Sequence, residues 1–362
     1  MLPRSSFPQR FSEGQHERVD TDAAIRQTDS DAILARFSAV QKQYLQDPFV
    51  KPLLPRGAHL QPSRPPLINI GTYVRSQGID ALVDQWLALS HREGKKCQIV
   101  SLGAGSDTRF WRIATSPRKD ILGRYIEIDF SENTTKKAMA IRKSKELSAL
   151  LGQPEDVTLV GGGTGLSSPV YHLRAADLRS PPTESLASVL QSNSYDGSPL
   201  LDPSLPTLLL FECVLVYMTP IQSSTLIQWF VDYFAQSSST LGGIVYEMFG
   251  LNDPFGKVMH ANLKARHVEL PGAAPYPTFA SLPTRFTQHG FQHANAITLR
   301  DYRRSCVSST ELERISQLEL VDEVEELELV LAHYAITWGC KTFGDDAHNS
   351  GWGSWGIQPA AS

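Results

Sequence analysis

The sequence predicts an α/β fold with a doubly wound, mostly parallel sheet of seven strands and a helical N-terminal cap. Short apolar runs alternate with helical patterns from residue 97 onwards, which is the pattern of a parallel sheet. The first run ends in the glycine turn Gly103-Ala104-Gly105, and acidic residues follow the next three runs. The chain has 362 residues, 41% hydrophobic and 20% charged, which suffices for one large domain with insertions.

The helical patterns begin near the N-terminus. Apolar residues fall at helical spacing over 21–44 and over 68–90, and the prolines between these segments exclude regular helix, so we expect a helical cap over 21–95. A charged helix is expected over 131–151, and Thr219-Pro220 is a helix start signal. The seven expected strands are 97–102, 124–128, 171–175, 207–211, 243–248, 291–297 and 333–340.

Outside this alternating region the sequence predicts loops and ends. Residues 1–20 are polar and aperiodic, so we expect disorder, and the segment after Phe343 (344–362) reads as a flexible tail. Between them, 21–343 is expected to form a single domain. It is interrupted by a surface insertion loop at 180–205 and by an insertion at 249–290, on the side of the sheet where ligands bind in this fold class.

Composition excludes several classes of partner. The net charge is −4 and no basic block stands out, so we expect no nucleic acid partner. No apolar run reaches the ~18 residues of a membrane span, and the N-terminus has no apolar centre like that of a secretory signal. The four scattered cysteines indicate reduced thiols in a cytoplasmic protein. His289 and His293 flank Gly290 outside any expected helix, and we expect no metal site.

The sharpest motif is LGAGSDTRFWR at residues 102–112. A strand ends, two glycines turn the chain, and a helix begins, so the backbone can approach a ligand closely. A dinucleotide site would show a third glycine, and Thr108 occupies that position. The motif therefore favours a ligand without a pyrophosphate, although G-x-G alone is weak evidence.

Acidic residues follow strands two, three and four. Asp129 ends the run EIDF and is placed to accept hydrogen bonds from ribose hydroxyls, although it is also a candidate helix N-cap. Asp177, next to Leu178, suits an adenine amino group and ring, although a loop aspartate is more often a turn residue. Glu212 follows a buried strand and requires a cation or donors, such as an amino group. Together these residues predict a site for a nucleoside joined to an amino acid.

The elements LGAGSDTRFW, EIDF, ADL and ECVLVYMTPIQS resemble the leucine carboxyl methyltransferase family, over about residues 20 to 343. The resemblance implies the class I S-adenosylmethionine-dependent methyltransferase fold, with S-adenosylmethionine as the cofactor. It also implies methylation of the C-terminal leucine of the protein phosphatase 2A catalytic subunit, with a role in holoenzyme assembly. The family's cofactor positions fall on Arg36, Arg75, Gly103, Asp129, Asp177, Leu178 and Glu212. Arg36 stands where the family usually has lysine.

The chemistry expected of such a site needs no general base. An α-carboxyl has a pKa near ~3.5 and is already ionised at neutral pH, so catalysis would consist mainly of positioning. Arg75 and Tyr217 are the candidate catalytic residues: an arginine can hold a carboxylate with two parallel donors, and a tyrosine can donate one hydrogen bond. Arg36 is an alternative carboxylate ligand, and Tyr217 is equally consistent with a packed aromatic.

Other functions stay open at this stage. They are a carboxyl methyltransferase of modified tRNA, a small-molecule O-methyltransferase, a non-catalytic phosphatase-binding module and an NAD oxidoreductase. The absence of basic clusters disfavours RNA, and Thr108 disfavours NAD. The expected partner is the C-terminal tail of the phosphatase catalytic subunit, bound by a monomer.

Overall fold

A nine-stranded sheet forms the centre of the structure, a computed structural model that describes residues 21–192, 197–344 and 351–358. The strands are β1 Cys97–Leu102, β2 Leu122–Asp129, β3 Thr158–Val160, β4 Gly165–Ser167, β5 Tyr171–Ala175, β6 Thr207–Glu212, β7 Thr240–Met248, β8 His293–Thr298 and β9 Tyr334–Thr342. The helices are α1 Thr21–Gln41, α2 Pro66–Arg92, α3 Arg109–Ala114, α4 Ser131–Lys143, α5 Lys145–Ser148, α6 Pro182–Leu190, α7 Pro220–Phe234, α8 Pro254–Ala265, α9 Thr284–Thr287, α10 Leu299–Ser305, α11 Ser309–Ser316 and α12 Val324–Ala332.

The strand order is β3-β4-β5-β2-β1-β6-β7-β9-β8. The five strands β5, β2, β1, β6 and β7 are parallel, whereas β9 runs antiparallel to both β7 and β8. The chain winds outward from β1 in both directions, so the order reverses between β1 and β6, where ligands bind in open α/β sheets. The predicted doubly wound, mostly parallel α/β class is confirmed.

Both faces of the sheet are buried, because successive side chains of a strand point to opposite sides. Ile99 belongs to a core cluster with α2, α4 and α12, and its neighbour Val100 belongs to another with α6 and α7. β1 and β7 are buried along their whole length, as expected for strands covered by helices on both faces.

The structure differs from the sequence prediction in several elements. The sheet contains two strands that the periodicity did not indicate, β3 and β4, because three-residue strands around a Gly161–Gly163 turn are too short to show a pattern. The helix expected over 131–151 breaks at Ser144, whose side chain accepts a hydrogen bond from the backbone N–H of Leu147 and begins α5. The loop expected at 180–205 contains α6 in its described part.

The C-terminal end departs most from expectation. Residues 351–358 pack against helix α2, so the predicted looseness of 344–362 is wrong for this segment. The rings of Trp86 and Trp352 lie 4.2 Å apart between centroids, and the indole N–H of Trp355 donates to the carbonyl oxygen of Leu82 at 3.0 Å. The stabilisation from burying two indole rings exceeds the entropy lost by ordering the flexible glycine and serine between them. The disorder expected over 1–20 lies outside the described residues.

Candidate functional site

The eight residues singled out from the sequence line one cavity of about 740 Å³ at the carboxyl ends of the central strands. They are Arg36, Arg75, Gly103, Asp129, Asp177, Leu178, Glu212 and Tyr217. Gly103 follows β1, Asp129 ends β2, Asp177 follows β5 and Glu212 ends β6. Helices α1 and α2 of the N-terminal cap supply the opposite wall, including the two arginines.

The glycine turn brings the backbone close to its neighbours, and this closeness is why glycine is required. Gly103 has φ +67°, and a Cβ there would lie 2.4 Å from Cγ2 of Val214. Gly105 has φ +45°, and a Cβ there would lie 2.3 Å from Oδ1 of Asp29 on α1. Asp29 accepts hydrogen bonds from the backbone N–H and the hydroxyl of Ser106, at 2.7 and 2.9 Å.

Asp129 is fixed by three donors. Its Oδ2 accepts from the backbone N–H of Gly105 at 2.7 Å, and its Oδ1 accepts from the N–H of Phe130 and the side-chain amide of Asn133, at 2.7 and 2.9 Å. Phe130 is the N-cap of α4, so Asp129 does not cap that helix. Burial raises the pKa of Asp129, and these hydrogen bonds oppose the rise.

Asp177 is already engaged by a neighbour that the sequence did not single out. Arg179 donates from Nε to Oδ1 of Asp177 at 2.9 Å and from Nη2 to Oδ2 at 2.7 Å. The same guanidinium binds Asp22 of α1, with Nη1 2.5 Å from Oδ1. These hydrogen bonds with Arg179 lower the pKa of Asp177, which stays ionised. Leu178 is buried beside it.

Glu212 and Arg75 form an ion pair in the cavity. Nε of Arg75 donates to Oε1 of Glu212 at 2.5 Å, and the guanidinium carbon lies 4.5 Å from the ring centroid of Tyr246. Burial acts to raise the pKa of Glu212, but Arg75 and Arg109 outweigh it and hold the pKa below its usual value. Cys213, the next residue, has φ +56° and donates its N–H to the carbonyl oxygen of Tyr246 at 2.8 Å.

Behind this pair lies a chain of alternating charges, which we call the charge network. Arg75 contacts Glu212, Glu212 contacts Arg109, and Arg109 contacts Asp107 and Asp80. Asp80 contacts Arg112, which approaches Asp47, the partner of Arg36. The network contains four arginines and four acids, so its formal charges cancel. Its members are Arg36, Arg75, Arg109, Arg112, Asp47, Asp80, Asp107 and Glu212.

The two predicted arginines therefore differ in availability. Arg36 donates to Oδ2 of Asp47 at 2.6 Å and to the hydroxyl of Ser76 at 3.0 Å, and Asp47 is fully buried. Arg75 is a quarter exposed and faces the cavity. Tyr217 lines the same cavity, and burial raises the pKa of its hydroxyl, which stays protonated at neutral pH.

Part of the cavity lining is apolar. Helices α2, α10 and α12 and strand β9 contribute apolar side chains to it, whereas the 249–290 insertion supplies only Leu263 and Arg266. The insertion therefore contributes less of this wall than the sequence suggested. The apolar lining residues include Leu67, Ile68, Met218, Met248, Leu299, Val330, Leu331 and Tyr334.

Sequence reasoning missed the residues that hold the predicted ones. Arg109 was visible in the motif GAGSDTR, and Asp80 lies five residues after Arg75 on the same helix. Asp29, Asp47 and Arg179 gave no signal, because their partners are distant in sequence or are themselves loop residues. Among the described residues, no group of His, Cys, Asp and Glu could hold a metal ion, and no described helix is long and apolar enough to cross a membrane.

Comparison with known proteins agrees with these motifs. The family model described as leucine carboxyl methyltransferase matches residues 24–231. Leucine carboxyl methyltransferase 1 of Cryptococcus neoformans var. neoformans serotype D is 45% identical over 94% of this chain and 98% of its own length. The proteins of that name from Emericella nidulans and Schizosaccharomyces pombe are 38% and 35% identical, over 92% and 87% of this chain and 88% and 93% of their own.

Solved structures are more distant in sequence. A SAM-dependent methyltransferase from Methanosarcina mazei shares 14% identity and a TM-score of 0.37, over 69% of this chain and 94% of that one. Geranyl diphosphate C-methyltransferase from Streptomyces coelicolor, solved with S-adenosyl-L-homocysteine, shares 8% identity and a TM-score of 0.39, over 72% and 77%.

Proposed function

The chain belongs to the leucine carboxyl methyltransferase family, and on that premise we propose that it methyl-esterifies the C-terminal leucine carboxylate of the protein phosphatase 2A catalytic subunit. The methyl donor in this proposal is S-adenosylmethionine, which supplies an electrophilic methyl group on a sulfonium. The observation that carries the proposal is the meeting of all eight predicted residues in one cavity. We propose that this methylation regulates assembly of the phosphatase holoenzyme.

The residues present fit the cofactor. At Gly103 a Cβ would collide with Val214, so the loop can adopt its close turn only with glycine; Gly103 also lines the cavity, which supports contact with the ligand. Asp129, held by backbone donors, suits the ribose hydroxyls, and Asp177 with Leu178 suits the adenine. Glu212 suits the α-ammonium group, and Arg75 or Arg36 suits the α-carboxylate.

The substrate needs no activation by a base. A C-terminal carboxylate has a pKa near ~3.5, so its oxygen is ready to attack at neutral pH. The chain's task is to hold that oxygen about 3 to 3.5 Å from the methyl carbon and in line with the bond to sulfur. Tyr217, protonated and in the cavity wall, is placed to donate a hydrogen bond to a carboxylate oxygen.

The apolar part of the cavity lining supports a leucine side chain as the second recognition element. Burying such a side chain contributes roughly 1.5–3 kcal/mol. Leu67, Leu299 and Leu331 line the cavity and belong to one apolar cluster, which supplies apolar contacts for such a side chain. We further propose that the protein acts as a monomer in the cytoplasm, on this protein tail and not on nucleic acid.

Incubation with methyl-labelled cofactor tests the proposal. The phosphatase catalytic subunit with its intact C-terminus should be labelled, and the subunit lacking the final leucine should not. Base-labile label, released as methanol, would identify an ester. Equal labelling of both forms would contradict the proposed site of modification, and labelling of tRNA or of small acids instead would favour the corresponding alternative.

A further inference from the structure

Arg109 lies behind the cavity, at the first residue of α3, and it contacts three carboxylates. Its Nε donates to Oδ1 of Asp80 at 3.0 Å, its Nη1 donates to Asp107, and its Nη2 donates to Oε2 of Glu212 at 3.3 Å. The side chain is only 3% exposed. A guanidinium with three acid partners in a buried position organises those acids, because without it their like charges would repel one another.

The two oxygens of Glu212 are held from opposite sides. Arg75, at the cavity, donates to Oε1, and Arg109, behind it, donates to Oε2. A carboxylate has about four acceptor positions, so these two hydrogen bonds leave room for an ammonium group. Asp107 is fixed in the same way, because Arg109 holds its side chain and Nζ of Lys137 donates to its backbone carbonyl at 2.8 Å.

These contacts have a consequence for ligand binding. If Arg75 turns towards the carboxylate of an amino acid ligand, the hydrogen bond from Arg109 still holds Glu212. We propose that Arg109 is a positioning residue that keeps Glu212 ionised and oriented towards the α-ammonium group of the cofactor while Arg75 engages the α-carboxylate. This inference rests on the proposed function, since it concerns the amino acid end of the same cofactor.

A comparison of the affinities for two ligands distinguishes this positioning role of Arg109 from a general role in stabilising the fold. S-adenosylhomocysteine carries the amino acid end, and 5′-methylthioadenosine has the same nucleoside without it. Calorimetric titration of the full chain should show that Arg109→Gln weakens S-adenosylhomocysteine at least tenfold and 5′-methylthioadenosine less than twofold. Arg109→Lys, which keeps the charge but not the fork of donors, should give an intermediate loss.

Arg118→Gln is the matched control. Arg118 lies four residues after the end of α3, its side chain is 46% exposed, and its ion pair is with Asp84, which is outside the charge network. This variant should keep the wild-type ratio between the two ligand affinities. Lowering the pH from 7 to 5 should weaken S-adenosylhomocysteine binding more steeply in Arg109→Gln than in the wild type, because Glu212 then lacks one of the two arginines that lower its pKa.

The outcomes distinguish the inference from its premise. If the wild type binds neither ligand, the proposed function fails. If the wild type binds both and Arg109→Gln weakens them equally, or leaves both unchanged, the positioning role is overturned while the proposed function stands. Circular dichroism and the fitted binding stoichiometry check that each variant is folded, and Arg109→Lys gives a second measurement if the glutamine variant is not.

Discussion

Nε of Arg75 lies 2.5 Å from Oε1 of Glu212, and this ion pair joins helix α2 of the N-terminal cap to the end of the central strand β6. The cap and the sheet therefore meet at the predicted amino acid end of the cofactor. The pair also lies against the Tyr246 ring, 4.5 Å from the guanidinium carbon, which limits the directions in which Arg75 can turn. Several predictions about the site depend on this geometry.

Arg75→Ala should reduce methyl transfer at least tenfold, equivalent to about 1.4 kcal/mol of transition-state stabilisation. The reason is that the variant removes a carboxylate ligand and leaves Glu212 with Arg109 alone. Initial rates with labelled cofactor measure the effect. Arg118→Ala, which removes an arginine whose side chain is 46% exposed, is the control and should keep the wild-type rate. Wild-type turnover by Arg75→Ala would contradict a catalytic role for Arg75.

Tyr217→Phe separates the hydroxyl group from the packing of the ring. If the hydroxyl donates to the substrate carboxylate, kcat should fall about fivefold to tenfold, the effect of roughly one hydrogen bond. Binding of S-adenosylhomocysteine should change little. Tyr233→Phe makes the same change where the hydroxyl donates to the carbonyl oxygen of Leu201, and it should leave kcat intact. An unaltered kcat for Tyr217→Phe would assign the residue to packing.

Gly103→Ala should weaken cofactor binding at least tenfold. The new Cβ would lie 2.4 Å from Cγ2 of Val214, so the loop must shift, and φ +67° adds strain of about 1 kcal/mol. Gly57→Ala is a matched control, because Gly57 has φ +77° but nothing within 4 Å of the added carbon. Calorimetry should show normal binding for Gly57→Ala. Equal binding by both variants would mean that the glycine loop does not contact the ligand.

Glu127→Gln should change how stability depends on pH. Glu127 is buried with Lys137, whose Nζ lies 2.5 Å from Oε2, and with the hydroxyl of Tyr171. Burial raises the pKa of Glu127 to about 7, although Lys137 opposes the rise. Between its ordinary value of 4.5 and about 7, the folded state binds more protons at this group than the unfolded state, so the group's contribution to stability is lost as the pH rises.

Urea unfolding of the wild type and of Glu127→Gln between pH 4.5 and 7.5 measures this contribution. The wild type should lose stability more steeply than the variant as the pH rises, whatever the absolute loss caused by the substitution. Glu155→Gln, in the exposed turn before β3, serves as the control. Parallel curves for all three proteins would contradict a raised pKa at Glu127.

Trp352→Ala should lower the free energy of unfolding by about 3–5 kcal/mol, the usual cost of deleting a large buried aromatic. The side chain is 1% exposed and packs on Trp86. Leu320→Ala, at a residue 86% exposed, should change stability by less than about 0.5 kcal/mol. If denaturant unfolding found the two variants alike, residues 351–358 would not be docked in solution.

The sequence predicts the site residues at the edge of the sheet well, but it does not predict the charged side chains behind the cavity that hold them. Gly103, Asp129, Asp177 and Glu212 each stand at or just after the carboxyl end of a strand, so their meeting at one edge follows from the parallel fold. Arg36 and Arg75 were placed only by family resemblance. Asp80 and Asp47 belong to the charge network, and their long-range pairing leaves no periodic signal.

Short or composite elements escaped prediction for a different reason. β3 and β4 consist of three residues each, and Trp352 and Trp355 stand in a glycine- and serine-containing segment that local propensity describes as a loop. In both cases tertiary burial decides the conformation. Hydrophobic periodicity is read from a short stretch of sequence. It therefore cannot reveal a contact with a helix more than 250 residues away, such as that of Trp355 with Leu82.

The cancellation of charge in the network bears on the energetics of the proposed reaction. A sulfonium and a carboxylate enter as a cation and an anion, and a thioether and an ester leave without either charge. A set of residues without net charge does not stabilise the cationic reactant at the expense of the anionic one, or the reverse. Its charged groups also need not reorient when the two reactant charges disappear. Water would stabilise the separated ions and oppose their union, whereas a fixed, internally compensated set of dipoles and ion pairs offers less opposition. The eight groups would thus contribute to turnover as one compensated set, beside the other charged residues of the cavity lining and in addition to any contact that a single member makes.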